Sequence, residues 1–171
     1  KYPFISRNDP THYGIHDVLI DTANHEERLY QFTDEHIAEV IKSIRERVKV
    51  LQNDSKTVYI QTFKNDGIDA GASQSHSHWQ IASLSVIPPK YQNALNVLHK
   101  YYDEKGGCYF CNLKETLKKQ IIEENDSFIA YVPTDAKFPY EMYIIPKKHI
   151  SNIISFNDKE AADMGKLIRN C

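Results

Sequence analysis

The sequence lacks a long hydrophobic run, a strong net charge and a cysteine framework, and each absence excludes a class of protein. No apolar stretch among its 171 residues approaches the roughly 20 that span a bilayer, so no membrane partner is expected. A formal net charge of −2 gives no electrostatic reason to expect a nucleic acid as a partner. Three cysteines are too few for a disulfide-rich secreted domain, and a cytoplasmic location is therefore predicted.

The composition is that of a globular protein with a hydrophobic core. Hydrophobic residues make up 41% of the chain and charged residues 26%, and 171 residues suffice to bury a sizeable core. The chain begins at Lys1 rather than at methionine, and residues 158–171 have the pattern of a helix that is still running at the last residue. These two ends predict a piece of a longer protein.

Hydrophobic periodicity predicts an α+β fold, with antiparallel strands and helices packed on one face of them. Residues 1–13 have the composition of a loop. Alternation predicts strands at 16–21, 56–63, 76–87, 127–132 and 141–145. Three- and four-residue spacing predicts a helix capped by Thr33, a helix over 91–102 and a last helix after Asn157 or Asp158. Gly106 and Gly107 separate two related units, one nearly complete over residues 1–105 and one beginning over residues 106–171.

A polar stripe on the third predicted strand is the most informative feature of the sequence. Alternate residues of a strand share a face, so His76, His78 and Gln80 are expected to project together. A loop rich in small residues, 65–75, comes just before them, and its backbone N–H groups could hold a phosphate. An imidazole there can attack phosphorus if its other nitrogen donates a hydrogen bond. A merely solvent-facing polar strand is the alternative explanation of the same alternation.

The Cys108-x-x-Cys111 pair indicates a metal site. Two thiolates at this spacing suit tetrahedral Zn²⁺, which requires further ligands from elsewhere in the chain. Two alternatives stay open, namely a pair of buried thiols with no chemistry and a redox-active pair.

Three segments together resemble one family. Gly71-Ala-Ser-Gln-Ser-His-Ser-His-Trp-Gln80, which follows Asn65-Asp-Gly67, is similar to the active-site segment of galactose-1-phosphate uridylyltransferases and their relatives in the histidine-triad superfamily. The run Val18–His25 resembles the strand of that family that ends in a zinc-binding histidine. The cysteine pair and the run Phe138–His149 resemble the start of its second domain. The family usually has proline between the two histidines of the active-site segment, where this chain has Ser77.

The resemblance implies a role for each residue of the candidate active site. His78 would be the nucleophile that carries the nucleotide, and Gln80 would stabilise the transferred phosphoryl group. Ser73 and Gly71 would contact substrate phosphate, and Asn65 would contact phosphate or ribose. The resemblance also implies Zn²⁺ as cofactor: His25 and His76 would bind one ion, with further ligands upstream of Lys1. The ligands that it implies for a second, structural zinc are Cys108, Cys111 and His149.

The implied function is a nucleotidyltransferase. It would move a nucleoside monophosphate between a sugar-nucleotide and a sugar 1-phosphate through a covalent nucleotidyl-histidine, with galactose metabolism as the setting and a homodimer as one option. One alternative within the family is a phosphorylase acting on ADP-glucose or a dinucleoside polyphosphate. An alternative of another class is a zinc-stabilised fragment that binds nucleotide without turning it over.

Overall fold

The computed structural model describes residues 13–171, which form two compact units. The first comprises residues up to Gln31 together with Ser43–Pro88, and the second comprises Phe32–Lys42 together with Pro89–Cys171. The loop predicted for residues 1–13 lies, except for its last residue, outside the described part of the chain. The predicted division at residues 105 and 106 stays a prediction.

The first unit is built on a three-stranded antiparallel sheet. Its strands are β1 (Gly14–Ile20), β2 (Tyr59–Phe63) and β3 (His78–Leu84). The strand order is β1-β3-β2, so β3 is central and pairs along its length with both neighbours. In this register Ile20 lies opposite His78, at the end of the sheet where β3 begins.

Helix α1 (Asp34–Leu51) forms where the sequence predicted it. The side chain of Thr33 accepts a hydrogen bond from the backbone N–H of His36 at 3.2 Å, which confirms the predicted N-cap. The apolar residues spaced at three and four positions are all buried, namely Ile37, Val40, Ile41, Ile44 and Val48. Burial of one such stripe is the main source of stability for a helix in water.

The second unit combines another antiparallel sheet with helices. Its elements are α2 (Pro89–Lys105), α3 (Tyr109–Lys114), β4 (Ile121–Glu124), β5 (Phe128–Tyr131), β6 (Tyr143–Pro146) and α4 (Asp158–Asn170). Strand β5 is central and every residue in it is buried. Leu167 of α4 forms a core cluster with Phe128 and Ala130. The predicted antiparallel α+β fold is therefore confirmed.

Gly165 allows a close approach within the second unit. A Cβ atom at this position would lie 3.0 Å from both the carbonyl oxygen and the Cγ1 atom of Ile37. Helix α4 therefore contacts the first turn of α1 through a residue without a side chain.

Strand β3 is shorter than predicted, because it begins at His78 rather than at His76. The ring of His76 and the hydroxyl of Ser77 bond to groups outside the strand ladder, and the chain bends at Ser75 and His76. The last backbone link at this end is a long one of 3.5 Å, from Asp21 N to Ser77 O. The prediction that residues 76–87 are all strand is therefore wrong at both ends.

Within residues 13–171, none of the helices combines the length and the apolar character that crossing a bilayer requires.

Candidate functional site

His78 is the first residue of β3, and its imidazole is held in one orientation. The residue is only 6% exposed. Its Nδ1 lies 2.8 Å from the carbonyl oxygen of His76. A carbonyl oxygen can only accept, so Nδ1 carries the proton in the neutral ring and Nε2 keeps its lone pair. An imidazole in this state can act as a nucleophile through Nε2.

His76 and His25, the predicted zinc pair of the first unit, lie side by side. Their ring centroids are 4.2 Å apart and their Nδ1 atoms are 2.7 Å apart. Nε2 of His76 lies 2.6 Å from the carbonyl oxygen of Thr22, so Nε2 is the protonated nitrogen and Nδ1 is left with its lone pair. A metal-binding histidine commonly donates its second nitrogen to a carbonyl in this way.

The two rings fit a metal only in part. Two nitrogens on tetrahedral Zn²⁺ with bonds of about 2.0 Å would lie about 3.3 Å apart, so the 2.7 Å separation would have to widen slightly. Across residues 13–171, no third histidine, cysteine or acidic side chain joins this pair to make a group of ligands. Two imidazoles alone make a poor structural zinc site, which normally has four protein ligands.

Gln80 lies two residues after His78 on β3, so the two side chains share one face of the sheet. Its register partners on that face are Val18 of β1 and Phe63 of β2. Gln80 is partly exposed, so its amide can reach a ligand. The predicted three-residue stripe is thus correct for His78 and Gln80 and wrong for His76, which precedes the strand.

The small-residue loop before β3 has the backbone geometry of a tight turn. Gly67 and Gly71 have φ angles of 83° and 82°, in the region that favours glycine, and they flank a 3₁₀ turn at Ile68–Ala70. The side-chain amide of Asn65 donates to the carbonyl oxygen of Gly71 at 3.4 Å and so braces the loop. Ser73 is exposed. Contacts of Asn65, Gly71 and Ser73 with a substrate stay predictions.

Two cationic side chains belong to this region and were not predicted from the sequence. The Lys64 ammonium lies between Asp21 and Ser77, at 2.8 Å from Asp21 Oδ2 and 2.6 Å from Ser77 Oγ. Arg28 Nη1 donates to the carbonyl oxygen of Ser75 at 2.7 Å. Their only sequence signal is a single charge beside a strand or turn, which is also typical of ordinary surface residues.

Cys108, Cys111 and His149 converge in the second unit, as the sequence predicted. One ligand atom from each lies within 4.8 Å of the others. Cys111 Sγ is 3.3 Å from His149 Nδ1, close to the roughly 3.5 Å expected between sulfur and nitrogen on one tetrahedral zinc. Two thiols and an imidazole are the donors that Zn²⁺ prefers, so these residues fit a zinc ion. Binding of the metal itself stays a prediction.

The two thiols differ in their tendency to ionise. Cys108 is the N-cap of α3. The backbone N–H of Cys111 lowers the pKa of the Cys108 thiol, and the backbone N–H of Phe110 lowers it further by a smaller amount. Burial raises the pKa of Cys111. The helix terminus therefore favours the thiolate at Cys108, which is the form that a metal binds.

An aromatic pocket of about 230 Å³ lies on the same unit. Tyr109 and Phe110, the two residues between the cysteines, form part of its wall together with Tyr131 and Tyr143. Burial, with a smaller contribution from Tyr109, raises the pKa of Tyr131 to about 12. Its hydroxyl is therefore neutral throughout the physiological range.

The protein is similar to both uridylyltransferases and a phosphorylase. An ADP-glucose phosphorylase from Arabidopsis thaliana is 34% identical over 98% of this chain and 51% of its own length. A galactose-1-phosphate uridylyltransferase from Thermotoga maritima is 29% identical over 91% of this chain and 49% of its own. The chain therefore spans about half the length of these curated relatives.

A solved structure and two family models agree with these relatives. The structure of an Arabidopsis thaliana ADP-glucose phosphorylase with bound ADP-glucose superimposes with a TM-score of 0.83 at 35% identity, covering 92% of this chain and 50% of that one. The family model for the N-terminal domain of galactose-1-phosphate uridyl transferase matches residues 6–88, and the model for its C-terminal domain matches residues 88–171. As the sequence motifs predicted, this chain belongs to the galactose-1-phosphate uridylyltransferase-like family.

Proposed function

We propose that this protein transfers a nucleoside monophosphate from a sugar-nucleotide to a phosphate acceptor, with His78 as the covalent carrier. The observation that carries the proposal is the hydrogen bond of His78 Nδ1 to the His76 carbonyl, which leaves the lone pair on Nε2. The nucleophile of a nucleotidyl transfer needs this tautomer and a fixed ring.

The transfer takes place in two displacements. Nε2 of His78 attacks the α-phosphorus of the donor and forms an N–P bond, while the P–O bond to the sugar phosphate breaks and its electron pair leaves with that phosphate. A phosphate oxygen of the acceptor then attacks the same phosphorus, and the N–P bond breaks. The proton stays on Nδ1, which donates it to the His76 carbonyl oxygen in both steps, so the ring needs no other base.

Neighbouring groups can stabilise the charge on the transferred phosphoryl group. Gln80 shares the strand face of His78, and its amide NH2 donates without exchanging a proton. The N–H groups of Gly71 and Ala72 already donate to the carbonyl oxygens of Ile68 and Gly67 within the loop. Ser73, which follows them, would therefore be the loop residue that donates to the phosphoryl group. Asn65 would contact the nucleotide phosphate or the ribose, for which its amide must release the carbonyl oxygen of Gly71.

Two acceptors define two forms of the reaction. In the uridylyltransferase form, UDP-glucose is the donor and a hexose 1-phosphate is the acceptor. In the phosphorylase form, ADP-glucose or a dinucleoside polyphosphate is split by inorganic phosphate. The 34% identity with an ADP-glucose phosphorylase over 98% of this chain makes the phosphorylase form as strong a candidate as the uridylyltransferase form. Both forms share the same nucleotidyl-His78 intermediate.

Zinc would have a structural role. Cys108, Cys111 and His149 would hold one ion in the second unit, and His25 with His76 would supply two ligands for an ion in the first. A closed zinc site contributes folding free energy and offers no open position for chemistry. The phosphoryl transfer itself depends on the side chains of β3 and its loop.

Intact-mass measurement tests this function. The full chain is mixed in turn with UDP-glucose, ADP-glucose and a dinucleoside polyphosphate, and its mass is measured at neutral pH. We expect a gain of one nucleotidyl group, stable to base and labile to acid, and the added mass identifies the base. His78→Asn should remove the gain, whereas His99→Asn, a change of an exposed histidine on α2, should preserve it.

The remaining outcomes decide between the alternatives. Release of the adduct by inorganic phosphate identifies a phosphorylase, and release by a hexose 1-phosphate identifies a transferase. A His78→Asn protein that still gains a covalent nucleotide would show that the nucleophile is another residue. Nucleotide binding by equilibrium dialysis with no adduct from any donor would identify a binding fragment and refute the enzymatic proposal.

A further inference from the structure

The Lys64 ammonium is buried beside the start of β3. Its side chain is 8% exposed, and that of Asp21, with which it forms an ion pair of 2.8 Å, is fully buried. Lys64 also donates to the hydroxyl of Ser77 at 2.6 Å and reaches the carbonyl oxygen of His78 at 3.4 Å. The two residues that it contacts on this segment are thus the nucleophile and the residue before it.

A buried ion pair of this kind is a costly way to gain stability. Removing two charges from water costs several kcal/mol each, and an apolar pair of similar volume is often as stable. We therefore expect the ion pair to serve mainly to orient the Lys64 ammonium. The Lys64 ammonium has three N–H donors, and those that do not bond to Asp21 are directed at Ser77 and at the carbonyl oxygen of His78.

We infer that Lys64 and Ser77, with Asp21 behind them, are positioning residues for His78. The backbone from His76 to His78 must hold one shape for the carbonyl oxygen of His76 to meet Nδ1 of His78 at 2.8 Å. Ser77 lies between these two residues, one position before β3, and the backbone bond from Asp21 N to its carbonyl oxygen is a long one of 3.5 Å. The bond from Lys64, the residue that directly follows β2, restrains the Ser77 side chain and so fixes the tautomer and the direction of Nε2.

This inference deepens the proposed function and rests on it only for the rate measurement. Single-turnover formation of the nucleotidyl adduct is measured over a range of donor concentrations. Ser77→Ala should lower the limiting rate about tenfold or more, since small misplacements of a reacting group have effects of this size. The donor concentration at half-maximal rate should change less than twofold, because Ser77 is not expected to contact substrate.

Ser83→Ala is the matched control. Ser83 is a buried serine like Ser77, but it lies within β3 near the opposite end of the strand, and its hydroxyl is bonded to that of Thr57 at 2.6 Å. Each variant loses one buried hydroxyl hydrogen bond, so their thermal stabilities should fall by similar amounts. Only Ser77→Ala should slow the adduct. Equal rates for the two variants would overturn the inference.

A second variant pair keeps the test decisive. Lys64→Met alone removes the cation that is paired with the buried Asp21 carboxylate and can fail to fold, so Lys64→Met is combined with Asp21→Asn. The double variant should fold, lose the restraint on Ser77 and slow the adduct as Ser77→Ala does. A folded double variant with the full wild-type rate would refute the role of the ion pair.

A readout without substrate separates this inference from the proposed function. Nitrogen-15 NMR of the His78 ring should show a proton on Nδ1 in the wild-type protein, exchanging slowly with solvent. Ser77→Ala should speed that exchange or mix the tautomers, whereas Ser83→Ala should leave it unchanged. If the wild type forms no adduct and the NMR difference is present, the function fails and the positioning stands. If the two variants give identical ring signals, the positioning fails.

Discussion

The Glu160 carboxylate accepts two hydrogen bonds, one in an ion pair and one in a helix cap. Its Oε1 accepts from Lys148 at 2.7 Å, and its Oε2 accepts from the backbone N–H of Asn157 at 2.9 Å. The side chain of Asn157 accepts in return from Glu160 N, which completes a capping box at the start of α4. The bond from Lys148, and then that from the Asn157 N–H, lower the pKa of the Glu160 carboxyl.

This depressed pKa predicts a pH-dependent contribution to stability. A carboxyl whose pKa is lower in the folded state stabilises it above the unfolded pKa of about 4.3 and loses that effect as the pH falls through the folded value. Glu160→Gln should therefore lower the urea unfolding midpoint at pH 7, and the difference from wild type should shrink in acid. Glu115→Gln, a change of an exposed residue outside α4, is the control. A difference that is constant across this range would contradict the prediction.

At the scale of elements, the contact of α4 with the first turn of α1 depends on a missing side chain. Replacing glycine by alanine inside a helix normally stabilises it by up to about 1 kcal/mol. At Gly165 the new methyl group would meet the Ile37 carbonyl oxygen at 3.0 Å, and backbone cannot easily move away. Overpacking of this kind costs about 1–3 kcal/mol.

We therefore expect Gly165→Ala to destabilise the protein, against the helix propensity of alanine. The measurement is the free energy of unfolding from urea titration. Gly107→Ala is the control, because its methyl group would meet only the Asn112 side chain at an ordinary 3.5 Å. An increase in stability for Gly165→Ala would show that the two helices can separate without cost.

The elements that the sequence predicted well are those with a local signal. Helix α1 has both an N-cap and a regular apolar stripe, and both predictions hold. Strand β4 (Ile121–Glu124) was not predicted, because its sequence Ile-Ile-Glu-Glu does not alternate between apolar and polar residues. Its pairing with β5 also contains a register shift. The beginning of β3 was misplaced because side-chain bonds of His76 and Ser77 to distant groups, rather than residue preference, decide where its ladder begins.

The candidate site shows the same limit. The two histidines of the active-site segment and the cysteine pair follow from spacing along the chain. Lys64 could not be predicted, because the groups it binds are 43 and 13 residues away in sequence. A charged residue gains such a role only once the strands bring its partners together.

At the scale of the whole molecule, the predicted zinc site should couple metal binding to stability. A ligand that binds only the folded state stabilises it by about 2.7 kcal/mol at a concentration of 100 times its Kd. Adding Zn²⁺ should therefore raise the unfolding temperature of the chain, and a chelator should reverse the rise. Cys111→Ser should abolish most of this shift.

Cys171→Ser provides the control for the metal prediction. Cys171 is exposed and lies outside the group formed by Cys108, Cys111 and His149. The Cys171→Ser protein should bind as much zinc as the wild type, as counted by native mass spectrometry. If the Cys111→Ser protein retains the full zinc content, Cys108, Cys111 and His149 are not the zinc site.

Position 76 carries two separable traits, one in its ring and one in its main chain. The ring meets His25, whereas the carbonyl oxygen orients the neighbouring imidazole of His78. A mutation can delete the ring, but every amino acid brings the same carbonyl. Selection can therefore alter or abandon the histidine pair in a descendant of this protein while the acceptor for His78 is inherited unchanged.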